Sequence, residues 1–261
     1  MSELLVKYEP RPPAVVLWID RADKRNALSR GLIAALTDAF QRARDDAAAR
    51  CVILTGVGSV FCAGMDLAEL AESVQSKSRS EDVWDDALKL ATLYNLIYTL
   101  PKPTIAAVNG SAVAGGAGLV TVCDLAVSLP EAKFGYPEVR RGLVAAMVMP
   151  HLLRHVGERM ARYLLLTGEL ISAEEACRSG LINAVEAGSH LLERATAWAK
   201  SLAEGGPNVL AQTKALLHTF SRQAMSVEDA AKASAAPRLT EECRQGLEAF
   251  FEKRLAPWAT P

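Results

Sequence analysis

Apolar positions along this chain fall into short unbroken runs and into helical spacings, and the two alternate. Val15-Val16-Leu17-Trp18-Ile19 is an unbroken run that reads as a strand. The charged stretch Arg21-Ala22-Asp23-Lys24-Arg25-Asn26 follows as a loop. Ser29 is placed to cap a helix, and Leu32, Ile33, Leu36 and Phe40 give that helix one apolar face. Residues 51–55 (CVILT) repeat the strand signal, with Gly56 and Gly58 in the turn beyond. Asp66 stands before the helix-forming LAELAE as a cap, and residues 70–100 read as helical with a polar interruption near Gln75–Ser80.

A third strand, 104–108 (TIAAV), runs into the glycine-rich turn Asn109-Gly110-Ser111-Ala112-Val113-Ala114-Gly115-Gly116. A short buried helix follows the turn, and then a strand over 125–129 (LAVSL). Recurring strand–loop–helix units argue for an α/β domain. Beyond residue 150 the pattern is mostly helical: Ser172-Ala173-Glu174-Glu175 forms a capping box, Pro207 suits a helix start, and Thr240-Glu241-Glu242 opens a last helix ending near Pro257. The expected organisation is an active-site core over 1–200 and a helical region over 201–261.

Composition narrows the function. Half of the 261 residues are apolar, enough for a sizeable core, and 29 Lys plus Arg nearly cancel 30 Asp plus Glu. Net charge therefore suggests no basic field for nucleic acid or anionic lipid. No signal segment is visible at Met1-Ser2-Glu3-Leu4, and the apolar stretch 104–129 is broken by Asn109, Ser111, Cys123 and Asp124, so it reads as buried structure and not a membrane span. Five widely spaced cysteines (51, 62, 123, 177 and 243) with no CxxC pair fit free thiols in the cytosol.

Two strand-to-helix turns carry candidate chemistry: Phe61-Cys62-Ala63-Gly64-Met65-Asp66-Leu67 and Asn109 to Gly118. Amides at a helix start have no intrahelical partner, so two such amides converging would hold an oxyanion. Neither turn has the Lys-Ser/Thr of a phosphate loop or a G-x-G-x-x-G string. Glycine-rich turns also serve packing alone.

The strings FCAGMDL, PTIAAVNGSAVAGGAGLVTVCDLAV, AKFGYPEVRRGL and LTGELISAEEACRSGLINAV, in that order, resemble successive blocks of the crotonase superfamily, which contains enoyl-CoA hydratases and isomerases. The similarity runs from Asn26-Ala27-Leu28 to Phe250-Phe251-Glu252-Lys253-Arg254. The resemblance implies a spiral of ββα units, then helices that assemble homotrimers or pairs of trimers. It implies an acyl-CoA thioester substrate and no separate cofactor, coenzyme A being part of the substrate. Position by position, it places the oxyanion-hole amides at Met65 and Gly115 and a catalytic carboxylate at Glu138. The substrate-binding positions would be Ala63, Asp66 and Leu67, Lys24 or Arg25 at the CoA phosphates, Gly118 in the pocket, and Lys253 reaching a neighbouring subunit's ligand.

The hydratases of this superfamily carry two glutamates, and here the first falls on Gly118. Hydration needs one group to deprotonate water and one to protonate the enolate carbon, whereas moving a double bond needs a single base. Both reactions remain open, as does an acyl-CoA-binding scaffold without catalysis. Glu69, Glu72, Glu81 and Asp82 are candidate replacements, while Arg140 and Arg141 would make Glu138 an ordinary surface ion pair. His151 and His155 share a helical face without a metalloprotease motif, so capped or solvated roles are expected and no metal. Ser111 lacks a nucleophile elbow, and Cys62 has no neighbouring histidine.

Overall fold

The computed structural model describes residues 4–70 and 80–222, together with 241, 245, 249, 252, 254, 255 and 257. Strands β1 (Val6–Arg11) and β2 (Ala14–Ile19) pair antiparallel, with Val6 opposite Ile19 and Arg11 opposite Ala14. Helix α1 (Arg30–Asp45) then leads to β3 (Cys51–Gly56) and the short β4 (Val60–Cys62). Helix α2 (Ser80–Thr99) precedes β5 (Thr104–Val108), β6 (Ser111–Val113), α3 (Gly115–Thr121), β7 (Leu125–Ser128) and β8 (Lys133–Gly135). The remaining described elements are α4 (Met149–Thr167), β9 (Ile171–Ser172), α5 (Ala173–Arg178), β10 (Ala184–Val185), α6 (Leu191–Ala203) and α7 (Pro207–Arg222).

These strands make two sheets. The larger has the order β1-β2-β3-β5-β7-β10 and is parallel from β2 onward; the smaller has the order β4-β6-β8-β9. Parallel strands buried on both faces read as continuous apolar runs, which is why the sequence announces β2, β3 and β5 so clearly. One face of the large sheet sends Val15, Leu17, Ile19, Val52 and Leu54 into the main core with α1. The other sends Ala14, Val16, Ile53, Ile105 and Val127 against Leu191, Ala195 and Ala199 of α6. Leu36 and Phe40 of α1 are fully enclosed, each contributing about 1.5–3 kcal/mol by burial. The stretch 104–129 is divided among β5, β6, α3 and β7, and no helix among the described residues is long and apolar enough to cross a membrane.

Caps read from the sequence are in place. Ser29 Oγ accepts from Leu32 N–H at 3.1 Å, and Asp66 Oδ1 accepts from Ala68 N–H at 3.0 Å. Ser172 Oγ accepts from Glu175 N–H at 3.2 Å; the reciprocal bond expected of the Glu175 carboxylate is not formed among the described residues. Strands β1, β4, β6, β8, β9 and β10 are additions to the expected elements. In β1, Lys7, Glu9 and Arg11 interrupt the apolar pattern because the strand lies at the sheet's edge, and the others span three residues or fewer. The helix expected over 240–257 lies largely outside the described residues.

Candidate active site

The loop after β4 is shaped by Gly64, which has φ +90°. A side chain there would be strained, and its Cβ would stand 2.8 Å from that of Ala114. Leu28 N–H donates to Gly64 O at 2.8 Å, and Leu28 O accepts from Asp66 N–H at 3.0 Å. Successive amides of extended chain point to opposite sides, so Met65 N–H faces away from Leu28. Arg21 pins the far end of the loop by donating to Asp66 Oδ2 at 2.7 Å and to Ala27 O at 3.0 Å. That guanidinium holds the Asp66 carboxyl below the usual range. Asp66 is therefore engaged by Arg21 and by the amides of residues 68 and 69, which fixes the loop.

The second loop enters α3 through Ala114, whose φ of +53° and ψ of −125° are strained for a residue with a Cβ. Such a conformation costs about 1–3 kcal/mol and persists only when its surroundings hold it. Here Ala114 N–H donates to Gly135 O at 2.8 Å. Gly115 opens the helix, so its N–H has no intrahelical partner. The two loops abut: a Cβ on Gly64 would lie 3.3 Å from Gly115 N, and one on Gly116 would lie 2.2 Å from Cys62 O. Only glycine at 116 permits that approach.

Glu138 sits on the 3₁₀ turn Pro137–Arg141 that follows β8. Its Oε2 is buried and has no hydrogen-bond partner among the described residues. Burial pushes the carboxyl above its ordinary pKa, opposed by a hydrogen bond from its own backbone N–H and by the charge of Arg141. The surface ion pair does not form: Arg140 donates to Thr167 O at 3.1 and 3.2 Å, and the Arg141 guanidinium is turned to Pro137 O.

Met65, Gly115, Tyr94 and Glu138 line one cavity of about 240 Å³. Its apolar wall includes Ile33, Leu70 and Leu90, and also Leu143, Val144, Met147 and Val148. Gly118 is buried beside it, and a Cβ at Gly118 would lie 2.5 Å from Tyr94 Oη and 2.7 Å from Val148 Cγ1. The Tyr94 hydroxyl donates to Gly115 O at 2.7 Å. Glu69 lines the cavity but is held as an acceptor by Arg30 N–H at 2.8 Å. Glu72 and the side chains of Glu81 and Asp82 lie outside the described residues.

Lys24 and Arg25 are exposed, and Ala63 N–H donates to Arg25 O at 3.1 Å, which ties their turn to the Ala63–Leu67 segment. Leu67 is 52% exposed. Lys253 lies outside the described residues. Elsewhere, His155 Nε2 is bonded to Thr121 O at 2.9 Å, and the His151 ring packs edge-on against Tyr98. The Cys62 thiol is pushed up to about 12 by burial, too high to ionise as a nucleophile near neutrality. Tyr94 and Arg21 carried no signal in the sequence, since their partners are distant in the chain and neither stands in a motif.

Met65, Gly115 and Glu138 thus line one cavity; two amides converging there could hold an anionic oxygen, and a carboxylate beside them could move a proton. The family model for enoyl-CoA hydratase/isomerase matches residues 14–261. A Thermus thermophilus protein is 43% identical over 254 residues, covering 96% of this chain and 98% of its own. The crotonyl-CoA hydratase of Syntrophomonas wolfei is 34% identical over 95% of each chain. The crystal structure of an enoyl-CoA hydratase/isomerase from Marinobacter aquaeolei superposes with a TM-score of 0.90 at 33% identity, covering 98% of this chain and 99% of that one. From strand order to sequence, these agreements place the chain in the enoyl-CoA hydratase/isomerase family, with the crotonase fold.

Proposed function

We propose that the chain adds water across the double bond of 2-enoyl-CoA thioesters. The amides of Met65 and Gly115 receive the thioester oxygen, and Glu138 serves as the single general acid and base. The observation that carries this reading is the buried, unpartnered Oε2 of Glu138 on the cavity shared by those two residues. A carboxylate whose buried oxygen is left unpaired holds a proton more tightly than an exposed one, which suits it to take a proton and return it. The activities for which relatives are named favour hydration, the crotonyl-CoA hydratase of Syntrophomonas wolfei among them. Coenzyme A arrives with the substrate, and Lys24 and Arg25 offer exposed cations for its phosphates.

A second reading, isomerisation of 3-enoyl-CoA to 2-enoyl-CoA, is favoured by the lack of a carboxylate at Gly118, since one base suffices for it. Assays with crotonyl-CoA and with a 3-enoyl-CoA decide between them. Loss of the enoyl absorbance of crotonyl-CoA supports hydration, and its gain from the 3-enoyl substrate supports isomerisation. Neither change, with CoA thioester still bound, would establish the non-catalytic scaffold instead.

A further inference from the structure

Hydration with one carboxylate leaves the water half-held. Glu138 can take one of its protons, but the second must also be fixed if the oxygen lone pair is to face the β-carbon. A single contact leaves the water free to rotate about it, and misplacement by about 1 Å can cost on the order of 10² in rate.

Few of the described residues lining the cavity can supply the second contact. Arg30 and Lys89 offer donors and no acceptor. Asp86 and Glu69 keep spare lone pairs but are held at Arg30, by its side chain at 2.6–2.7 Å and by its amide at 2.8 Å. Tyr94 is different. Its only proton is committed to Gly115 O at 2.7 Å, so toward a further partner the phenol oxygen can act only as an acceptor. Burial, with the nearby Cys62, Tyr136 and Glu138 adding to it, raises the phenol's pKa well above its ordinary value, so it stays protonated. The absence of a side chain at 118 is what gives this hydroxyl its place, since a Cβ there would stand 2.5 Å from Tyr94 Oη.

We propose that Tyr94 Oη accepts a hydrogen bond from the reacting water and so provides the second fixed point that Gly118 does not. The role rests on the hydration reading. In the step, the water O–H bond facing Glu138 breaks and its proton passes to the carboxylate. The water oxygen bonds to the β-carbon, and the π pair moves to give a thioester enolate whose oxygen lies at the Met65 and Gly115 amides. Glu138 then returns the proton to the α-carbon. One water is added, the carboxylate is regenerated, and Tyr94 keeps its own proton throughout.

The test pairs two reactions of the full-length protein. Hydration of crotonyl-CoA needs a held water; exchange of the α-protons of butyryl-CoA in D₂O needs only the carboxylate and the two amides. Tyr94→Phe is expected to slow hydration by about 10² while leaving exchange near the wild-type rate. A folded Phe variant that loses both reactions in parallel makes Tyr94 a brace for Gly115 and overturns the role, as does one that loses neither. If Tyr94→Phe does not fold, 3,5-difluorotyrosine at position 94 keeps the shape, weakens the acceptor and strengthens the donor. Slower hydration with undiminished exchange then supports the role, and undiminished hydration overturns it. A wild-type protein that exchanges α-protons but adds no water overturns the hydration reading itself, and this role with it. Hydrating wild type with an unchanged ratio in the variant overturns Tyr94 alone.

Discussion

Gly118 and Tyr94 exclude one another's growth: a Cβ on the glycine would stand 2.5 Å from the phenol oxygen and 2.7 Å from Cζ. Restoring a glutamate at 118 looks from the sequence like a direct way to raise hydration, but the space for its first carbon is already filled. Gly118→Ala should destabilise the fold by about 1–3 kcal/mol, the usual cost of overpacking. Denaturant midpoints measure this. In a double-mutant cycle with Tyr94→Ala, the two losses should sum to more than the double variant shows, because the second change removes the clash.

Glu138→Gln should lower the rate of whichever proton-transfer reaction the wild type performs by about 10²–10⁴, with acyl-CoA binding retained. The wild-type pH profile carries the same signature. Glu138 must be ionised to take the first proton, and burial raises its pKa above the ordinary 4.5, so activity should fall with decreasing pH through a midpoint higher than that value. A midpoint at or below it, measured in kcat/KM, would remove Glu138 as the base.

The same carboxyl has a stability consequence of opposite sense. Because its folded pKa is raised, the folded state binds the proton more tightly than the unfolded chain does. Its stabilising contribution is present below the unfolded pKa and is lost as pH rises through the folded one. Glu138→Gln should therefore be more stable than wild type near neutrality, with the advantage shrinking in acid. Urea midpoints of both proteins at about pH 7 and about pH 4 test the sign.

Ala114 holds a backbone conformation that glycine adopts without strain, at φ +53°. Ala114→Gly should thus stabilise the protein by up to about 1–3 kcal/mol, less the entropy a glycine loses on folding. If the strained turn fixes where Gly115 N–H points, the gain in melting temperature will come with a lower kcat. Calorimetry and kinetics on the one variant show both.

What the sequence disclosed follows from how local each signal is. The interior strands β2, β3 and β5 are legible because burial on both faces writes an unbroken apolar run, and α1 because Leu32, Ile33, Leu36 and Phe40 mark one face. Two- and three-residue strands such as β9 and β6 leave no period to detect. Glu138 alone would have passed for a surface residue beside two arginines, and the likeness of its neighbours to a family motif made it a candidate. Tyr94 reaches Gly115 from another helix, and Arg21 reaches Asp66 across 45 positions, so no window of sequence contains either pair.

At Met65 the main chain turns its amide away from Leu28, and the side chain is a separate part of the cavity wall. Residue identity there is consequently decoupled from the peptide group, and so is identity at Leu143, Val144 and Met147, which contribute only lining. A lineage could exchange these four side chains, and with them the acyl groups admitted, while inheriting the reacting geometry unaltered. Position 115 has no such latitude, since even a methyl group there would press on Leu28 Cδ1 at 3.1 Å.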